Sequence, residues 1–183
     1  MKARDKILEI AYQLFSEKGY RGATTREIAE RAGFSEVTLF RIFGSKERLF
    51  REVLERYSSV LDIESLVEGG KPPSRELLTR VALSLYGSLR KNERLIRILL
   101  SEAPSHSTTD SVTCVYRDFV NRLDSLIARV LSVPPSSPLP RIFHGSLFSL
   151  FLSEELFGGK RLSDGELRAF VEELVSLFVG GER

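Results

Sequence analysis

Apolar residues recur at helical spacing along nearly the whole chain, and no stretch holds the period of two that marks a strand. Ile7, Leu8, Ala11, Leu14 and Phe15 make one stripe, predicting a helix over about residues 4–18 that Gly19 stops. Two short elements follow. In the first, Thr24 stands at the N-cap with Glu27 at capping-box spacing, and Ile28 and Ala29 face inward. Ala32-Gly33-Phe34 makes a turn, because Gly33 takes the positive φ that ends one helix and redirects the chain. Ser35 then caps a second short helix over residues 36–43, Gly44 ends it, and Ser45 caps a fourth.

The fourth helix is long, with Leu49, Phe50, Val53, Leu54, Tyr57, Val60 and Leu61 in phase and no Gly or Pro before the Gly69-Gly70-Lys71-Pro72-Pro73 loop. A fifth helix starts on Ser74, and a short sixth spans about residues 93–102. The polar string Ser105–Thr109 is a loop, and Asp110 caps a seventh helix that the Pro134-Pro135-Ser136-Ser137-Pro138 loop ends. The eighth, about residues 140–157, is apolar nearly all round and needs cover on more than one side. Ser163, with Glu166 three residues on, opens the last helix, which Gly180-Gly181 stops. The reading is all-α with about nine helices, divided into a head over residues 1–47 and a helical body over residues 48–183.

Composition narrows the class. Charged residues are 28% of the 183 and hydrophobic residues 42%, as in a soluble globular chain. The strongest uncharged apolar run, Ile142–Ser153, is too short to span a bilayer, and the opening MKARDKILEI has no apolar run of a signal peptide. A single cysteine, Cys114, excludes an internal disulfide and fits a reducing cytoplasm. Cys114, His106 and His144 show no metal-ligand spacing, and no metal or cofactor is expected. Net charge is +2: residues 1–57 hold twelve Lys/Arg against nine Asp/Glu, and the remainder is −1. The basic bias therefore lies in the head.

Two helices joined by a short Gly-containing turn are the helix-turn-helix pattern, whose second helix enters the DNA major groove. The stretch Thr24–Lys46 resembles the DNA-binding head of the TetR family of transcriptional regulators. The agreement also takes in Leu14-Phe15-Ser16-Glu17-Lys18-Gly19-Tyr20, Thr24-Thr25-Arg26-Glu27-Ile28-Ala29, Thr38-Leu39-Phe40 and Phe43-Gly44-Ser45-Lys46-Glu47, covering roughly the first fifty residues. The resemblance implies phosphate contacts from Thr25, at the start of helix two, and from Lys46, at the start of helix four. Base readout falls to Arg41, Thr38, Val37 and Glu36, with Arg26 reaching from helix two. Arg41 can fork to guanine, Val37 can touch a thymine methyl, and Glu36 can accept from cytosine N4 or stand as a solvated helix-start acid. Two positions depart from the family pattern. Phe40 replaces the usual Tyr and removes its hydroxyl-to-phosphate bond, and Val37 replaces a small residue, often Gly.

One short recognition helix covers few base pairs, so the expected partner is a pseudo-palindromic double-stranded operator bound by a homodimer. The resemblance assigns the dimer contact to the last two helices and a small-molecule effector to the body. Tyr86, Tyr116, Phe119, Phe143, His144, Phe148 and Phe151 are the candidates for an apolar or aromatic pocket, or else plain core. Enzyme signatures are lacking: His144-Gly145-Ser146 is not a nucleophile elbow, and there is no P-loop or GxGxxG. The rival reading keeps the fold but makes the chain a DNA-binding scaffold or nucleoid-type protein without a small-molecule switch.

Overall fold

The computed structural model describes residues 2–57, 63–65, 74–102 and 111–179. Among them the elements are α1 (Ala3–Gly22), α2 (Thr25–Ala32), α3 (Glu36–Phe43), α4 (Lys46–Tyr57), α5 (Arg75–Lys91), α6 (Glu93–Glu102), α7 (Ser111–Leu131), α8 (Leu139–Leu150), a π-helical segment (Phe151–Phe157) and α9 (Asp164–Ser176). The described residues contain no strand. The extension of helix four over residues 58–62 and beyond 65, the 69–73 and 105–109 loops, His106, the Asp110 cap and the stop at 180–181 lie outside the described residues.

The chain clusters into two compact units: Met1–Tyr57 with Asn92–Val120, and Ser58–Lys91 with Asn121–Arg183. In the first unit, α1 packs on α2, α4 and α6. Its core joins Ile7, Leu14 and Phe15 to Ile28, Leu39, Phe43, Leu49, Phe50, Leu95 and Val115. Burying each such side chain contributes about 1.5–3 kcal/mol. Phe15 meets Phe50 edge-on at 5.0 Å between ring centroids, and Tyr12 stacks on Tyr57 at 4.0 Å. Arg4–Glu52 at 2.6 Å and Asp5–Arg56 at 2.7 Å tie α1 to α4.

In the second unit, α5 packs on α8 and α9. Leu78, Val81, Tyr86, Phe143, Leu147, Phe151, Val171 and Val175 are all buried there. The expected uniform helix over residues 140–157 is divided: α-helix ends at Leu150 and a π-helical turn carries the chain to Phe157. In this wider register the Glu155 side chain is 6% exposed and faces α5, where Arg90 Nε donates to both its oxygens at 3.0 Å. Gly158 follows, and a Cβ there would stand 2.5 Å from the Ser153 carbonyl oxygen, so the turn closes only on glycine. The capping box at Ser163 and Glu166 forms in both directions.

Gly19 does interrupt α1, at φ 76°, but a further turn of helix reaches Gly22. At residue 24 only half of the expected capping box forms. Thr24 accepts from the Glu27 N–H, while the Glu27 carboxylate turns to Lys18 Nζ at 2.7 Å and to Arg31.

Candidate nucleic-acid interface

Local signals fix the geometry of α2 and α3. Gly33, at φ 78°, ends α2: its own N–H reaches Glu30 O and the Phe34 N–H reaches Ala29 O at 2.9 Å. These are the two bonds of a Schellman motif, and half-buried Phe34 anchors it against the core. Ser35 Oγ accepts from the Thr38 N–H at 3.2 Å and lies 3.0 Å from Thr38 Oγ1, so α3 starts on a full side-chain cap. Leu39 and Phe43 hold the inner face of α3 in the core, and Gly44 closes the helix at φ 80°.

The opposite face of α3 is apolar where burial would not place apolar groups. Val37 is 77% exposed and Phe40 42% exposed, and Arg41, also exposed, lies one turn from Val37. Residues 37, 40 and 41 share one side of the helix, so the structure brings together an apolar side chain, a ring and a guanidinium on a rigid convex element. Arg41 makes no ion pair among the described residues. Arg26 lies on the exposed face of α2 and pairs with Glu30 at 2.9 Å. Lys46, the first residue of α4, holds its ammonium 4.5 Å from the centroid of the Tyr20 ring. That cation–π contact has no short-range sequence signal; it arises from α1 and α4 packing together.

One contact was not legible from spacing alone. Thr25 Oγ1 donates to Glu36 Oε1 at 2.6 Å, in a half-buried setting. Both residues follow an N-cap, so the bond joins the starts of α2 and α3.

The body residues fall in two places. Tyr116 is exposed and Phe119 is half-buried against the core of the first unit. In the second unit Tyr86 and Phe143 are fully buried. Tyr86 packs edge-on to Phe151, and Phe143 edge-on to Phe178. Burial, then the charge of Glu155 accepting its hydrogen bond, pushes the Tyr86 hydroxyl well above the usual tyrosine range. His144 Nε2 lies 2.7 Å from Asp124 Oδ1, and Asp124 also takes the Arg141 guanidinium. Phe148 is half-buried. A shallow, open depression of about 560 Å³ lies outside this core, along Ile142, Gly145, Ser149 and Ser153 and against Phe170. Ile142 (52%), Phe157 (75%) and Leu177 (80%) are large apolar side chains left exposed in this unit. Among the described residues no group of His, Cys, Asp and Glu can hold a metal ion, and no helix is long and apolar enough to cross a membrane.

Comparison with known proteins meets this geometry at the head. The model of the family described as bacterial regulatory proteins, tetR family, matches residues 7–53. An uncharacterized HTH-type transcriptional regulator of Bacillus subtilis (strain 168), YvkB, is 36% identical over 97 residues, which is 53% of this chain and 50% of its own length. The HTH-type transcriptional repressor KstR of Rhodococcus jostii (strain RHA1) is 33% identical over 132 residues, 70% of this chain and 59% of its own. The chain thus spans about half the length of the curated relatives it matches. A crystal structure of a transcriptional regulator (TerR/AcrR family) from Aquifex aeolicus VF5 superposes with a TM-score of 0.63 at 26% identity, covering 96% of this chain and 99% of that one.

Proposed function

Because the chain belongs to the TetR family of bacterial regulatory proteins, we propose that it is a sequence-specific DNA-binding transcriptional regulator, acting as a homodimeric repressor and not as an enzyme. The observation that carries this reading is the outer face of α3. Val37 and Phe40 stay exposed on a helix whose other face is locked into the core, beside Arg41 with no ion-pair partner among the described residues. A major groove uses such a set: Arg41 forks to guanine, Val37 meets a thymine methyl, and the Phe40 ring lies against sugar and phosphate. Lys46 supplies a phosphate contact, and Arg26 approaches a base or phosphate once it leaves Glu30.

The operator is pseudo-palindromic because two heads read it. The exposed apolar residues Ile142 on α8, Phe157 at the end of the π-helical segment and Leu177 at the C-cap of α9 support self-pairing there. The repressor is released by a small apolar or aromatic effector bound in the body, where half-buried His144 and Phe148 stay available while Tyr86 and Phe143 are closed into the core. Release requires that the effector bind the non-DNA-binding state more tightly than the bound one. Such a regulator works in the cytoplasm.

The test is a pull-down of sheared genomic DNA by the purified protein, sequenced beside an Arg41→Ala variant at one fixed, moderate salt concentration. A few sharp palindromic sites, weakened or relaxed in the variant, support the reading. Diffuse recovery that the variant leaves unchanged refutes it in favour of a scaffold role.

A further inference from the structure

The hydrogen bond between Thr25 and Glu36 changes what each can do at a DNA surface. A threonine hydroxyl carries one proton, and Thr25 directs it to Glu36 Oε1 at 2.6 Å. While that bond stands, the hydroxyl cannot donate to a phosphate. Glu36 in turn is an acceptor-only group, and its second oxygen makes no hydrogen bond among the described residues. The residue is half-buried at the first position of α3, directly before exposed Val37, so its carboxylate has one oxygen tied to α2 and one available on the recognition helix. A carboxylate held there repels phosphate, and the only donors that the base edges offer it in the major groove are amino groups. In the major groove that selects a base with an exocyclic amino group, cytosine N4 foremost, and rejects guanine O6 and thymine O4.

We propose that Thr25 is a positioning residue and not a phosphate anchor: its hydroxyl fixes the Glu36 carboxylate, which specifies an amino-bearing base, preferentially cytosine, at one position of each half-site. The proposal rests on the reading of α3 as the recognition helix. It adds a selective element that works by exclusion as well as attraction, next to Val37 and Arg41. Orientation is the point of the Thr25 bond. An unrestrained glutamate at a helix start has several rotamers, whereas one fixed oxygen leaves the other a narrow range of directions.

The experiment selects bound sequences from a random-core DNA library at fixed salt, for the wild type and for Glu36→Ala, Glu36→Gln, Thr25→Val and Thr25→Ser. Thermal melts of each variant confirm folding. Expected is a cytosine preference at one position per half-site, reduced about ten-fold or more by Glu36→Ala. Glu36→Gln should move that position toward adenine, since an amide pairs bidentately with adenine. Thr25→Val should relax the same single position while the Arg41-dependent positions stay sharp, and Thr25→Ser, which keeps the donor, should restore it. A sharp wild-type motif that both Glu36→Ala and Thr25→Val leave intact overturns the proposal alone. So does a Thr25→Val variant that weakens every sequence equally, because that is the behaviour of a phosphate contact. A wild type that selects no motif overturns the recognition-helix reading and this inference with it. If Thr25→Val fails to fold, the Glu36→Ala and Glu36→Gln arms still decide whether the carboxylate reads a base.

Discussion

The two compact units are held by different kinds of polar bond. In the first, α2, α3 and α4 begin on Thr24, Ser35 and Ser45, each accepting from a backbone N–H three residues on. Its ion pairs, such as Arg4–Glu52 and Lys18–Glu27, sit at the surface with a quarter or more of each side chain exposed. In the second unit α5 and α9 also start on serine caps, but the distinctive bond is long-range and half-buried. Arg90 and Glu155, with side chains 15% and 6% exposed, join α5 to the π-helical segment, and Tyr86, the Leu162 N–H and the Leu162 carbonyl complete the network. Surface pairs are worth about 0–1 kcal/mol, whereas hydrogen bonds to a charged group contribute about 1.5–3 kcal/mol. The head therefore closes its short helices locally and keeps its ion pairs at the surface, where solvent screens them. The second unit commits its best charge pair to its own fold.

That contrast is broken most sharply at Glu155. Glu155→Ala strands Arg90 and removes the acceptor of Tyr86, so we expect a loss of about 1.5–3 kcal/mol in urea unfolding. Amide hydrogen exchange should place the lost protection in α5, the π-helical segment and α9, with α1–α4 unchanged. Replacing both partners by apolar residues, as in Arg90→Met with Glu155→Leu, should recover most of the loss. If Glu155→Ala costs no more than Glu52→Ala in the head, the distinction between the two units is wrong.

Acid tests the same bond by a second route. Burial pushes the Glu155 carboxyl up, but the Arg90 hydrogen bonds, the Leu162 N–H and the Arg90 charge outweigh it and hold the group below its ordinary value of 4.5. A carboxyl lowered in the folded state contributes stability that is complete above that ordinary value. The contribution is lost as pH falls through the lower, folded-state value. Stability against unfolding, measured from neutral pH downward, should therefore fall below pH 4.5, and Glu155→Ala should flatten that slope. A slope that is the same in both proteins would assign acid sensitivity to other carboxylates.

In the head the largest expected effect is on binding and not on stability. Arg41→Ala removes an exposed guanidinium that packs on nothing in the core, so its melting temperature should match the wild type. Its affinity for a selected operator should fall by about 1–3 kcal/mol per half-site, read by fluorescence anisotropy at fixed salt. A variant that binds the operator as tightly as the wild type would remove Arg41 from base readout.

This difference also explains what the sequence made legible. Caps and turns depend on residue identities within four or five positions, so Thr24, Gly33, Ser35, Gly44 and the Ser163–Glu166 box are legible in the sequence. The same locality exposes Val37, Phe40 and Arg41, because Leu39 and Phe43 fix the inner face. The second unit was less legible. The pattern of residues 140–157 is apolar all round, so it carried no phase, and neither the π-helical turn nor the inward Glu155 could be read from it. Tyr86 and Phe143 stand at helical spacing that suits a core more often than a pocket and excludes neither. Only packing distinguishes these, and here Phe151 and Phe178 cover their rings. The Thr25–Glu36 bond was hidden for a third reason: it depends on the angle between two helices, which spacing does not give.

The smallest effect sharpens the comparison best, because it uses the same chemistry in both units. Ser35 and Ser163 are both serine N-caps, accepting from Thr38 N–H at 3.2 Å and Glu166 N–H at 3.3 Å. Replacing either by alanine should cost about 1 kcal/mol of stability. The consequences should then diverge. Ser35→Ala frees the Thr38 hydroxyl and loosens the first turn of α3, which carries Glu36 and Val37, so operator binding should weaken by more than the unfolded fraction explains. Ser163→Ala loosens α9, leaves α3 untouched and should bind the operator as the wild type does. Equal binding by the two variants at equal folded concentration would mean that the start of α3 needs no preorganisation. The short-range closure of the head would then serve folding alone.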